Sequence, residues 1–307
     1  MTVIDKTVKP TVTFLERQSL LLLKNSRLAL CYIAILTCLS LTTWVAATII
    51  ALITLRKGWQ DGFGGLILSS LLLCCLSQNS HSLSFVVIMT IITFLPCYLT
   101  AIVLRYTASW CLAGEAIIGQ GLLGIILIYW LAPEFIQEQY QIINKTLLSL
   151  GYNNLADLLA NSVSANTAIL ASYIFGIQIA INILSAIISL LVARSMQAKL
   201  FCPGAFKEEI INWSGSKVGL LLFVVMAIYA YQYNLIAISS LPLFIVYYCS
   251  IGVGLFLIIF NNKTFGLLLL LLIPLIIFPF IMLPIYVICG IIDSLFNLRC
   301  YFKHLSS

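Results

Sequence analysis

Polar and apolar positions along this chain fall into long blocks. Eight apolar runs stand out, at 28–55, 62–76, 83–104, 108–131, 165–192, 218–230, 235–260 and 265–298. Continuous runs of this kind predict helices that cross a bilayer, because a span needs about 20 residues at about 1.5 Å each. A β-barrel would show ~10-residue segments of alternating hydrophobicity, which these runs are not. The first and last runs, of 28 and 34 residues, are long enough to be hairpins. The first has a polar tip, "SLTTW" at Ser40–Trp44, and Trp suits a membrane interface. The last is interrupted by Pro274, Pro279 and Pro284.

Composition agrees with the pattern. The chain has 307 residues, of which 62% are hydrophobic and 8% charged. A soluble domain is nearer a quarter charged, so the bilayer is the expected solvent. The expected fold is an all-α polytopic membrane protein, a single integral membrane domain over 1–307. It is a bundle of about eight to ten transmembrane helices, some re-entrant, with both termini cytoplasmic. No secretory signal peptide is expected.

Basic residues set the orientation, since cytoplasmic loops collect Lys and Arg. With an inside start and two hairpins, fifteen of the sixteen basic residues fall on one side, and only Lys145 falls on the other. The first arm is expected to begin near Glu16; started only at Leu28 it is too short to span and would be re-entrant. Residues 1–27 form a basic tail or interfacial helix. Residues 132–164 form an outer amphipathic segment, with Phe135, Tyr140, Ile143, Leu147 and Leu150 at helical spacing.

Chemistry is sparse. Ten cysteines are scattered without a C-x-x-C pair, and the two histidines, His81 and His304, are far apart. Packing thiols and no metal or other cofactor are expected. No nucleotide-binding or hydrolase motif is present, so an enzyme is not expected. The +6 charge is accounted for by topology and anionic headgroups, which leaves no basis for nucleic-acid binding.

Two acids lie inside apolar runs, Glu115 and Asp293. Each either pairs with Arg105, Arg194 or Arg299, or serves in transport or coupling. In the fifth run Ala171, Phe175, Gln178, Asn182, Ser185 and Ser189 recur at steps of four and three and share one helix face. Gln178, Asn182 and Ser185, with Glu115, are candidate ligand-binding residues. The same face is also consistent with hydrogen bonding to a neighbouring helix. Gly114, Gly119, Gly121 and Gly124 suit close helix packing or docking to a membrane partner.

The densest charge lies in an elbow loop, 194–217. The fifth helix is expected to run to about Phe201 and to break at Pro203-Gly204. Phe206 then folds back onto apolar surface, while Lys207, Glu208 and Glu209 stay wet. The segment "ARSMQAKLFCPGAFKEEI" resembles an "AR-x-x-Q-A … N-P-G-G-F-x-x-E-F" pattern, matched at Ala193, Arg194, Gln197, Ala198, Pro203, Gly204, Phe206 and Glu209. Cys202 and Ala205 depart from it. "ITLRKGWQDG" at Ile53–Gly62 and "GIIDSLFNLR" at Gly290–Arg299 resemble two further segments of the same family. This is the YybS-like domain-of-unknown-function family of predicted bacterial inner-membrane proteins, distantly similar to the S components of energy-coupling-factor transporters.

The resemblance implies a fold class, a multi-pass protein of the bacterial inner membrane, more than a function. Together with the architecture and the polar stripe it supports the leading expectation, an S-component-like protein that binds or helps move a small molecule. Arg194, Gln197, Pro203, Gly204, Phe206, Glu209 and Asp293 are then candidates for coupling or partner contact. The alternative is a scaffold or assembly factor that recruits a membrane or cytoplasmic protein through the elbow. An intramembrane enzyme using Glu115 or Asp293 ranks last.

Overall fold

The computed structural model describes residues 14–77, 82–151, 164–202, 204, 206, 209–210, 213–259 and 273–299. The helices are α1 (Phe14–Lys24), α2 (Ser26–Cys38), α3 (Thr43–Arg56), α4 (Trp59–Ser77), α5 (Leu83–Thr107), α6 (Trp110–Leu131), α7 (Pro133–Ser149), α8 (Ser164–Phe201), α9 (Lys217–Tyr231), α10 (Leu235–Ile259) and α11 (Pro279–Phe296). No strand occurs among the described residues. The protein is an all-α, multi-pass membrane protein. Six described helices, α4, α5, α6, α8, α10 and α11, are long and apolar enough to cross a bilayer, or seven spans if the bent pair α1–α2 counts as one. The first arm of the last expected hairpin falls largely outside the described residues.

The first apolar run does turn back on itself. α2 and α3 are arms of 13 and 14 residues, joined by a short 3-10 turn at Ser40–Thr42. Each arm is only ~20 Å long, short of the ~30 Å hydrocarbon core. α1 does not lengthen the first arm: the chain turns through 117° at Asn25, whose backbone is extended, so the arm begins at Ser26 and not near Glu16. The hairpin therefore turns inside the membrane. Ser189, twelve residues before the end of α8, donates to the Trp44 carbonyl at 2.8 Å. That bond places Trp44 at mid-helix depth and not at the interface its residue type suggested.

Two helices hold the bundle together. In α3 the ten residues Ala46–Leu55 are all buried, because "AATIIALITL" has no polar face and α2, α4, α5 and α8 surround it. Its Thr48 and Thr54 hydroxyls donate to the carbonyls of Trp44 and Ile50, so their polarity is satisfied within the helix. α10 plays the same part in the other half, packed by α6, α8, α9 and α11. Here glycine sets the spacing. A Cβ on Gly252 or Gly290 would run into the Tyr286 or Tyr248 carbonyl oxygen of the facing helix. Of the four glycines expected to pack, Gly114 and Gly121 meet α10 side chains, while Gly119 and Gly124 have nothing within 4 Å.

The bundle has two unlike ends. Arg56, Arg105, Arg194 and Arg299 gather at one, called the basic end below. The Arg56 guanidinium lies 3.8 Å from the centre of the Phe201 ring, and Arg105 donates to the Thr54 carbonyl at 2.8 Å. The other end is covered by α7, which packs on α5, α6 and α8.

Candidate functional site

At the α7 end, aromatic packing fixes the frame. Phe135 near the start of α7 stacks on Phe85 of α5 at 4.8 Å and meets Phe175 of α8 edge-on at 6.0 Å. Glu138 accepts from the Ser82 hydroxyl at 2.8 Å, tying α7 to the head of α5. The Tyr129 hydroxyl donates to Ser172 at 2.7 Å and lies 2.8 Å from the Ser239 hydroxyl, joining α6, α8 and α10. Ser239 donates in turn to the Ser172 carbonyl at 2.8 Å.

Four buried amide atoms lack a hydrogen-bond partner among the described residues: Gln120 Oε1 on α6, Gln139 Oε1 and Asn144 Oδ1 on α7, and Asn182 Nδ2 on α8. Gln139 is only 3% exposed, and its Oε1 has no hydrogen-bond partner among the described residues. Asn182 Nδ2 is likewise buried without a partner. Gln139 lies one turn beyond Phe135 on α7; Gln178 and Asn182 lie one and two turns beyond Phe175 on α8. Gln178, Asn182 and Ser185 are half-buried, and Ala171, Phe175 and Ser189 of the same stripe are fully buried. The stripe thus faces protein for most of its length, and its lower end is the Ser189 contact with the re-entrant hairpin. Leaving a buried amide group unpaired costs about 1–3 kcal/mol, so these atoms ask for an occupant.

Glu115 does not join them. It sits five residues into α6 from Trp110, at the basic end, half-buried and without an ion pair among the described residues. The antiparallel run of α6 against α8 separates it from Gln178 and Asn182.

Among the described residues, two ion pairs lie at the basic end. Arg194 forks onto Glu209, with Nε to Oε2 at 2.9 Å and Nη2 to Oε1 at 2.5 Å, and its Nη1 donates to Gln197 at 2.6 Å. Trp110 Nε1 also donates to Glu209 at 3.2 Å. Glu209 is therefore not wet as the sequence suggested; its side chain is 19% exposed. Burial pushes its carboxyl up, but the Arg194 hydrogen bond and charge, with the Trp110 bond, outweigh this and hold it below the ordinary carboxylate range.

The second pair is deeper. Asp293 is fully buried, and Arg299 Nε donates to its Oδ2 at 2.6 Å. Arg299 also donates to the carbonyls of Ile210 at 3.1 Å and Ile251 at 3.0 Å. Burial pushes this guanidinium below its ordinary value, and Asp293 pulls it back. Two arginines thus grip consecutive residues of the elbow, Glu209 by its side chain and Ile210 by its backbone. α8 ends at Phe201 and Gly204 has a φ of +96°, as the expected break requires. Phe206 packs partly buried against the core. Pro203, Lys207 and Glu208 lie outside the described residues.

A third group joins the ion pairs. Trp110 and Trp213 rings lie 5.5 Å apart, and Trp213 Nε1, the Tyr247 and Tyr248 hydroxyls and Asp293 Oδ1 are buried without a hydrogen-bond partner of good geometry. Here the packing is tight. A Cβ on Gly114 would come within 3.0 Å of the Tyr247 ring and 3.3 Å of Trp213 Nε1. On the Gly114 side these groups therefore lie in close contact with the α6 backbone. Gln139, Trp110 and Trp213 were missed in the sequence. Gln139 had a visible signal, a lone amide four residues after Phe135 on the apolar face of an amphipathic helix.

No family model, curated protein or solved structure matches the chain.

Proposed function

We propose that this is a non-enzymatic membrane protein that binds, or helps move, a small molecule in the half of the bundle covered by α7. The membrane is a bacterial inner membrane and the basic end faces the cytoplasm. The positive-inside rule and the three segments resembling the YybS-like family support the location. The reading of the site rests on one observation: buried amide atoms, Gln139 Oε1 and Asn182 Nδ2, are left without partners on two helices packed against each other. A bundle that needed only to pack in lipid would fill these positions with apolar or small residues. Purification from the native membrane, with mass spectrometry of whatever small molecules co-purify, tests it. A stoichiometric small molecule in the wild type that is missing from Gln139→Leu/Asn182→Leu supports the proposal. Equal recovery from both places any ligand elsewhere.

A second reading has its own support. The elbow is gripped by Arg194 and Arg299 far more firmly than a topological connector requires, which suits a surface presented to a protein partner. Cross-linking from Cys202, which is exposed, would capture such a partner in wild type and lose it in Phe206→Ala.

A further inference from the structure

Among the described residues four buried amide atoms lack a partner, the oxygens of Gln120 on α6 and of Gln139 and Asn144 on α7, and the nitrogen of Asn182 on α8. Gln139 and Asn182, on helices packed against each other, are of opposite kinds. Gln139 Oε1 can only accept a hydrogen bond, and Asn182 Nδ2 can only donate one. An occupant that satisfies both must offer a donor and an acceptor. Gln178 and the Ser185 hydroxyl, half-buried on the same face of α8, add groups of mixed donor and acceptor character along that face.

Charge narrows the choice. From Ala171 to Ser189 the α8 sequence contains no Asp, Glu, Lys or Arg. On α7 the Glu138 carboxylate is engaged by Ser82, and Glu134 and Lys145 are exposed. An ionised solute taken into this part of the bilayer would find no countercharge, and an unpaired ion there costs far more than a hydrogen-bonded neutral group. Carboxamides suit a neutral solute: each presents an N–H and a C=O side by side.

The frame also shows how such a solute would be enclosed. α7 is held down at its first turns, by Phe135 between Phe85 and Phe175 and by the Glu138–Ser82 bond, and its outward side is exposed. Gln139 points inward just past these ties.

We propose that the solute is uncharged and carries both hydrogen-bond donors and acceptors, as monosaccharides, polyols and primary amides do, and that α7 is the cover over it. This rests on the small-molecule reading above. The full-length protein in lipid nanodiscs is heated with millimolar monosaccharides, polyols, nucleobases and primary amides, and with carboxylates and amines of matched size. Neutral members raise the unfolding temperature and charged members do not. Gln139→Leu and Asn182→Leu each weaken that binding about tenfold, the effect of one hydrogen bond to a group otherwise left unpaired. Glu138→Ala speeds release about threefold by loosening α7.

The outcomes separate the two ideas. Stabilisation by charged members alone, abolished by Asn182→Leu, overturns the neutral class and leaves the site standing. Stabilisation that both leucine variants retain overturns the site. If no member stabilises, the amides hold only water, and both the class and the small-molecule reading fall.

Discussion

The two ends of the bundle treat buried polarity in different ways. At the basic end the charged groups are bound to one another, while Asp293 Oδ1, Trp213 Nε1 and the Tyr247 and Tyr248 hydroxyls are buried without a partner of good geometry. Arg299 uses its guanidinium on Asp293 and two backbone carbonyls, and Arg194 on Glu209 and Gln197. The neutral hydroxyls and indole beside them are wedged against Gly114 and Gly219. At the α7 end the frame is made of aromatic rings and satisfied hydroxyls, and uncharged amides on two facing helices are left open. The first arrangement holds segments in place, and the second is prepared to receive something. If that contrast is right, substitutions at the two ends will separate stability from ligand response.

The largest expected effect is at Asp293. Asp293→Ala leaves Arg299 buried without its countercharge and should cost about 3–5 kcal/mol, read from reversible unfolding in detergent or nanodiscs. Replacing the pair together, Asp293→Leu with Arg299→Met, should recover most of that loss, although Ile210 and Ile251 then lose a donor. A loss below about 1 kcal/mol for Asp293→Ala would place the pair in water and weaken the contrast.

Arg194→Ala comes next, at about 1–2 kcal/mol, because its pair is partly exposed and Glu209 keeps the Trp110 bond. The clearer readout is local: thiol reagents should label Cys202 faster once the elbow is released. Unchanged labelling would mean that Arg299 alone fixes the elbow.

How much of this was legible in the sequence depends on what each feature needed. Apolar blocks and basic ends are written locally, so the all-α membrane class, the turn at Ser40–Thr42 and the end of α8 at Phe201 could be read directly. The depth of the hairpin could not, because it depends on Asn25 bending α1 away from α2. The stripe on α8 was visible as a period. Gln139 left a signal of its own on α7, but its place over α8 was not legible, because only the packing of Phe135 on Phe175 brings the two helices together. Asp293 was seen as a buried acid with Arg299 among its possible partners. Arg299's hold on Ile210 needed the folded elbow.

A smaller effect is expected from pH. The Glu209 carboxyl is held below its ordinary range in the folded protein. Its contribution is therefore fully present above the unfolded value of about 4.3 and is lost as pH falls through the lowered folded value. The elbow should stay closed to proteases from neutral pH to about pH 4.3 and open only as pH falls further, through the lowered folded value, and Glu209→Gln should remove the dependence. Opening already between pH 6 and 7 would point to a different group.

The smallest expected effect on stability carries the most weight. In ligand-free protein the double variant Gln139→Leu/Asn182→Leu replaces two unpaired buried groups by apolar ones, a change that is neutral or stabilising by up to ~1 kcal/mol. The decisive measurement is the unfolding free energy of this double variant against wild type, both without ligand. The account predicts equal or greater stability in the variant. A loss of more than ~1 kcal/mol would contradict it, because the amides would then be holding the fold together and would not be waiting for a ligand.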